Sequence, residues 1–145
     1  MNFVNQKNVV FASILLILFG WLSPAIAHEV NKSAVVLLVA KNKAGKTVGT
    51  GSGFVIQPEG TITTNYHVLV DAYSVKAYFQ NGNQVDVTGI YKIDRKKDFA
   101  ILKLTEGAYS TLELGESSSL HDYDYTSALG YLSENVKENN GITEG

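Results

Sequence analysis

The chain has 145 residues, 12 Lys and Arg against 14 Asp and Glu, a net charge of −2 and no cysteine. That length holds one domain and a short extra segment. A near-neutral balance without a long run of one sign argues against a nucleic-acid binder, which would need a basic patch to neutralise phosphates. The lack of cysteine excludes disulfides, a cysteine nucleophile and thiolate metal sites within this sequence, so its fold must stand on an apolar core.

Lys7 and the amino terminus form a weakly basic start, and Val9 to Leu22 is an almost unbroken apolar run. Ser23-Pro24-Ala25-Ile26-Ala27 ends it with a small-x-small site. This is the grammar of a secretory signal peptide, residues 1–27, with cleavage expected after Ala27. An uncleaved anchor is the rival, but the run falls short of the roughly 20 residues that span a bilayer. The sequence therefore predicts an exported protein, periplasmic or secreted, with no membrane association after cleavage. A remainder of that size buries roughly 60% or somewhat more of its unfolded surface, enough for one core.

A polar lead (28–32) opens the remainder. Ser33 to Ala40 (SAVVLLVA) is a buried-strand pattern, and Lys41 to Lys46 is a turn centred on Ala44-Gly45. Thr47 to Gln57 is a strand interrupted by Gly49, Gly51, Ser52 and Gly53, which mark a bulge, a bend or a close backbone approach. In a small barrel such positions are corners. A phosphate cradle would need a Lys-Ser/Thr ending and a following helix, and Phe54-Val55-Ile56 offers neither. Pro58-Glu59-Gly60 suits a turn, and Thr61 to Thr64 returns as a strand. One helical turn over His67 to Ala72 would place Val68, Leu69 and Ala72 on one face.

Ser74 to Phe79 alternates with Val75, Ala77 and Phe79 inward, Asn81-Gly82-Asn83 signals a hairpin, and Gln84 to Ile90 alternates again with Val85 and Val87 inward. Asp94-Arg95-Lys96-Lys97 is a charged loop that delivers Asp98, and Asp98 to Leu104 is apolar on both faces. Thr111 to Gly115 reads as a short edge piece and Tyr125 to Leu129 as a last strand. Ser133 to Gly145 turns polar and is expected to fray. Seven or eight short strands without a long helix predict an all-β domain.

Two residues could carry chemistry. His67 in Thr64-Asn65-Tyr66-His67-Val68 stands where the β pattern stops, and Asp98 opens Asp98-Phe99-Ala100-Ile101-Leu102-Lys103-Leu104. A His and an Asp on separate β segments are two thirds of a nucleophile–base–orienter triad. Each has a plainer reading: a hydrogen-bonded structural histidine, and a loop acid among Arg95, Lys96 and Lys97. GSGF, TNYHV and DFAILKL, in that order and spacing, resemble the trypsin-like serine proteases of the bacterial HtrA/Deg type. The resemblance runs from about Ser33 to about Gly130. It implies that His67 is the base and Asp98 its orienter; the neighbours Phe99 and Ala100 themselves fit a carboxylate embedded in apolar surroundings. It also implies that residues 33–132 form the N-terminal β-barrel, of six to seven strands, of the two-barrel trypsin-like (chymotrypsin-type) fold.

The second barrel, which in that family carries the Gly-x-Ser-Gly-Gly turn and oxyanion hole, has no counterpart here. Ser110, Ser117, Ser118, Ser119, Ser127 and Ser133 lack the flanking glycines of such a turn, so no nucleophile is assigned. His121-Asp122-Tyr123-Asp124 gathers an imidazole and two carboxylates on one loop, a weak match to any metal site and more simply a solvated acidic loop. No cofactor or metal is implied. The sequence thus reads as an exported serine endopeptidase fragment, inactive alone, taking a polypeptide substrate only if a second barrel is supplied. The alternative is a non-catalytic binding module. Self-association through the exposed barrel face is expected of the half-protease, whereas a cooperatively unfolding monomer is expected of an independent module.

Overall fold

Continuous apolar runs and period-two alternation produce six paired strands in the computed structural model, which describes residues 31–131 and the backbone of 143–144. They are β1 (Val35–Lys41), β2 (Thr47–Gln57), β3 (Thr61–Thr64), β4 (Ser74–Phe79), β5 (Gln84–Asp94) and β6 (Phe99–Leu104). All neighbours are antiparallel, and the order β1-β2-β3-β6-β5-β4 closes on itself as a barrel. Inward positions make one core: Val36 and Leu38 of β1, Val55 of β2, Ile62 of β3, Ala77 and Phe79 of β4, and Ala100, Leu102 and Leu104 of β6. Val75, Val85 and Val87 pack against it, as their alternation predicts.

β3 and β4 are consecutive but not adjacent, because β3 pairs with β2 and β6 while β4 pairs with β1 and β5. Residues 65–73 must therefore cross one end of the barrel. A short 3-10 turn, Tyr66–Leu69, lies in that crossing, one residue ahead of the turn expected from sequence. Val68 drops from it into the core and is 2% exposed. The glycines of β2 make room for it. A Cβ at Gly49 would meet the Val68 carbonyl oxygen at 2.3 Å, and one at Gly51 would meet Val68 Cγ2 at 2.4 Å. Close backbone approach is thus what these two glycines provide. The opposite end is covered by Tyr109, whose ring stacks on Phe79 at 5.6 Å and whose hydroxyl donates to the Thr105 carbonyl at 2.6 Å.

Three expectations need correction. β5 runs on past Ile90 to Asp94 because its pairing with β6 continues to Asp94 opposite Phe99. Thr111 to Gly115 is not a strand: Leu112 donates its N–H to the Val55 carbonyl at 2.9 Å, but no ladder forms around it. Of Tyr125 to Leu129 only Leu129 is paired, in the two-residue strand β7 (Leu129–Gly130) against β8 (Thr143–Glu144). Tyr123 and Tyr125 stand fully exposed, and among the described residues no strand pairs with them. The expected leader 1–27, residues 28–30 of the lead, and the tail 133–145 apart from Thr143–Glu144 lie outside the described residues.

Gly49→Ala and Gly51→Ala should each destabilise the barrel by about 1–3 kcal/mol in urea unfolding, as overpacking does. Val68→Ala should relieve the Gly51 clash, which is with a side chain, and leave the Gly49 clash, which is with backbone. A double-mutant cycle should accordingly give Val68 a coupling of about 0.5–3 kcal/mol with Gly51 and none with Gly49.

Candidate active site

The crossing segment sets the position of the imidazole. It leaves β3 through extended Asn65, turns over Tyr66–Leu69, and is tied down at its far end by the Tyr73 N–H to the Lys41 carbonyl at 2.7 Å. Within the turn, Val70 donates to His67 O at 3.3 Å and Ala72 to Leu69 O at 3.1 Å. Because Val68 points into the core, His67 beside it points out, with 67% of its side chain exposed.

Asp98 reaches the same rim from the β5–β6 turn. Asp94 shapes that turn, its Oδ1 accepting the backbone N–H groups of Lys96 and Lys97, both at 3.0 Å. Asp98 ends it with φ of 50°, a left-handed conformation that Asp tolerates better than most residues. The strand pattern of β6 then starts at Phe99, so Asp98 is the last turn residue rather than the first strand residue.

The two side chains meet. His67 Nδ1 lies 2.6 Å from Asp98 Oδ2, and the His67 backbone N–H donates to Asp98 Oδ1 at 2.8 Å. Asn65 Nδ2 donates to Oδ2 at 3.2 Å and to the Asp98 carbonyl at 3.1 Å. A carboxylate only accepts, so Nδ1 carries a proton, and in the neutral imidazole Nε2 keeps its lone pair. The hydrogen bond from the imidazole, followed by the one from the His67 backbone N–H, holds the Asp98 carboxyl below its ordinary value of 3.8, against a smaller desolvation effect.

The expectation of an Asp98 embedded in apolar surroundings is not met, since 41% of its side chain is exposed. The core of β6 begins only at Ala100, and the rim outside Asp98 is open to a cavity of about 540 Å³ lined in part by Asn65, Lys97, Phe99 and Leu129. Nor is it a loop acid serving the basic run. Its carboxylate pairs with His67, while the Arg95 guanidinium lies 5.4 Å over the Tyr66 ring.

Among the described residues no serine hydroxyl bonds His67. Ser117–Ser119 form an exposed 3-10 turn in which Ser118 donates to Glu116 Oε1 at 3.0 Å and Ser119 to the Glu116 carbonyl at 2.7 Å. Ser127 lines the cavity, Ser110 sits near Tyr109, and Ser133 lies outside the described residues. Ser52, flanked by Gly51 and Gly53, sits in β2 with its hydroxyl accepting the Tyr131 N–H at 2.7 Å. His121 donates its backbone N–H to Asp124 at 2.8 Å, closing a local turn. Asn65 is the residue that sequence reasoning left without a role. Its signal was its place in the Thr-Asn-x-His-Val string, two residues before the histidine.

A closed six-stranded barrel with a histidine on its end-crossing segment, held by an aspartate before the sixth strand, defines the first barrel of a trypsin-like peptidase. The family model for the trypsin-like peptidase domain matches residues 51–145, and the chain belongs to that family. Its similarities include proteases of the HtrA type. It is 32% identical to serine protease HTRA1A of Danio rerio over 111 residues, covering 75% of this chain and 22% of that one. It is 38% identical over 103 residues to the anti-sigma-I factor RsgI9 of Acetivibrio thermocellus, covering 70% of this chain and 14% of the relative. The structure resembles the serine endoprotease from Yersinia pestis with a TM-score of 0.67 and 26% identity, over 78% of this chain and 39% of that chain. The chain thus spans less than a quarter of the length of these two relatives.

Because the folded Asp98 carboxyl titrates below its ordinary 3.8, its contribution to stability is complete above that pH and is lost as pH falls through the lowered value. Asp98→Asn should therefore flatten the acid limb of a stability–pH curve below about pH 4 relative to the unmodified chain. Asp98→Ala should melt at a lower temperature than Asp98→Asn, since alanine tolerates the positive φ less well.

Proposed function

We propose that this chain supplies the base and the orienting carboxylate of an exported serine endopeptidase. The observation that carries the reading is the 2.6 Å contact between His67 Nδ1 and Asp98 Oδ2, with the imidazole otherwise facing outward. In peptide-bond hydrolysis Nε2 takes the proton of an attacking serine hydroxyl and later returns it to the leaving amine. Asp98 fixes the tautomer and stabilises the imidazolium that forms in between. Asn65 donates to the same Oδ2 that meets the imidazole and the His67 N–H donates to Oδ1, so both Oδ atoms are directed toward the crossing segment.

A serine nucleophile and paired oxyanion donors complete this chemistry, and after Asp98 the sequence has no Gly-x-Ser-Gly to provide them. These 145 residues alone are accordingly inactive, and polypeptide hydrolysis requires the groups that a second barrel supplies. Export belongs to the same reading and is checked by a mature N-terminus at His28 in secreted or periplasmic material.

A non-catalytic binding module is the second reading. It is favoured by the similarity to a protein named as an anti-sigma factor rather than as a protease. Joining the chain to the part of the Yersinia endoprotease outside the matched 39% separates the two. The endopeptidase reading expects casein cleavage by the chimera, background cleavage by the unjoined chain, and a loss of about 10⁴-fold in kcat for Asp98→Asn. A chimera that unfolds cooperatively, and so is folded, yet cleaves nothing supports the binding module.

A further inference from the structure

Three connections share the barrel end that carries His67: residues 42–46, 65–73 and 95–98. They collect charge of one sign. Lys41, Lys43, Lys46, Arg95, Lys96 and Lys97 are six of the chain's 12 Lys and Arg, and all six are exposed. The acids of this end, apart from Asp71, are already committed. Asp94 caps the Lys96 and Lys97 backbone and Asp98 holds His67 and Asn65. Among the described residues no carboxylate forms an ion pair with any of the six cations, whereas Lys76 on β4 is paired to Asp86 at 3.0 Å. Glu59 and Glu106 sit at the other end of the barrel, so a chain of net charge −2 is positive where its candidate site lies.

Two of the cations are held in place at the two ends of the crossing segment that carries the imidazole. The Arg95 guanidinium lies 5.4 Å over the ring of Tyr66, which precedes His67, and Lys43 Nζ lies 5.7 Å over the ring of Tyr73, where the crossing segment ends. Each cation keeps hydrogen-bonding capacity while its stem is restrained by the aromatic face, which lowers the entropy lost on meeting a carboxylate.

We propose that this end selects polypeptide segments with acidic side chains on both sides of the residue that faces His67. The proposal rests on the endopeptidase reading for the location of the substrate, and it specifies that substrate's chemistry. Carboxylates to one side meet Lys43 and Lys46, and those to the other meet Arg95, Lys96 and Lys97. An exposed pair is weak singly, but several acting together favour an acidic segment measurably at low salt.

The test uses the full chain and two capped decapeptides, one with Glu on both sides of a central Leu-Ala and one with Gln in those places. Titrations are followed by the NMR signals of the His67 ring and of the backbone amides. The Glu peptide is expected to shift His67 at a concentration at least about fivefold lower than the Gln peptide. The preference should vanish in 0.5 M salt, and in a variant with Lys43, Lys46, Arg95, Lys96 and Lys97 all changed to Gln. That variant should keep its amide dispersion and still bind the Gln peptide as before. Equal titration by both peptides overturns the selection while leaving the catalytic reading intact. Shifts confined to the basic turns, with His67 unmoved, overturn it as well. So does sedimentation with phosphatidylglycerol vesicles when the Glu peptide shifts nothing. Failure of the endopeptidase reading would show separately, as an inactive folded chimera that keeps the acidic preference.

Discussion

The arrangement depends on a topological constraint: β3 and β4 follow each other in sequence but are not neighbours in the barrel. The chain between them has to cross an open end; its far end is tied to β1 by the Tyr73 N–H, and its middle needs an apolar anchor to sit on the core. Val68 is that anchor, and Gly49 and Gly51 are the gap it fills. The direction of His67 follows. In so short a turn, burying one side chain sends its neighbour outward, and the neighbour is the imidazole. Gly49 and Gly51 therefore belong to the same structural unit as a histidine more than a dozen residues later.

Stability and function divide at the rim. His67 and Asp98 are 67% and 41% exposed at their side chains, and an ion pair that open to water contributes little to holding the barrel together. What the geometry does supply is direction. The Asp98 carboxylate accepts from the imidazole, from the backbone of the same histidine and from Asn65, which leaves one tautomer and one ring orientation. Asp98 adopts a positive φ to do so, a local conformation that the three hydrogen bonds maintain. The adjoining 540 Å³ cavity leaves the outer side of that carboxylate open among the described residues.

Much of this was legible in the sequence, and particular residues show why. Period-two alternation placed Val75, Ala77, Phe79, Val85 and Val87 inward because the barrel buries one face of each strand. The strings TNYHV and DFAILKL named the two residues that the structure brings together, as short strings bound to a family geometry can. Pairing was not legible where it depends on partners distant in sequence. β5 gained Lys92 to Asp94 from β6, and Tyr125 to Ala128 gained nothing, although both stretches look equally strand-like. The exposure of Asp98 was also hidden, because apolar neighbours in sequence do not say which of them point inward. Asn65 had a signal only through its place in TNYHV: an asparagine at a strand end is ordinary until its amide is seen against a carboxylate.

The central claim is that Asp98 fixes the protonation geometry of His67, and the nitrogen NMR signals of the imidazole test it most directly. At a pH where the ring is neutral, the account predicts a proton on Nδ1 and an unprotonated Nε2. It also predicts loss of that preference in Asp98→Asn, whose amide can donate to Nδ1 instead. A native chain whose neutral imidazole carries its proton on Nε2 would contradict the account.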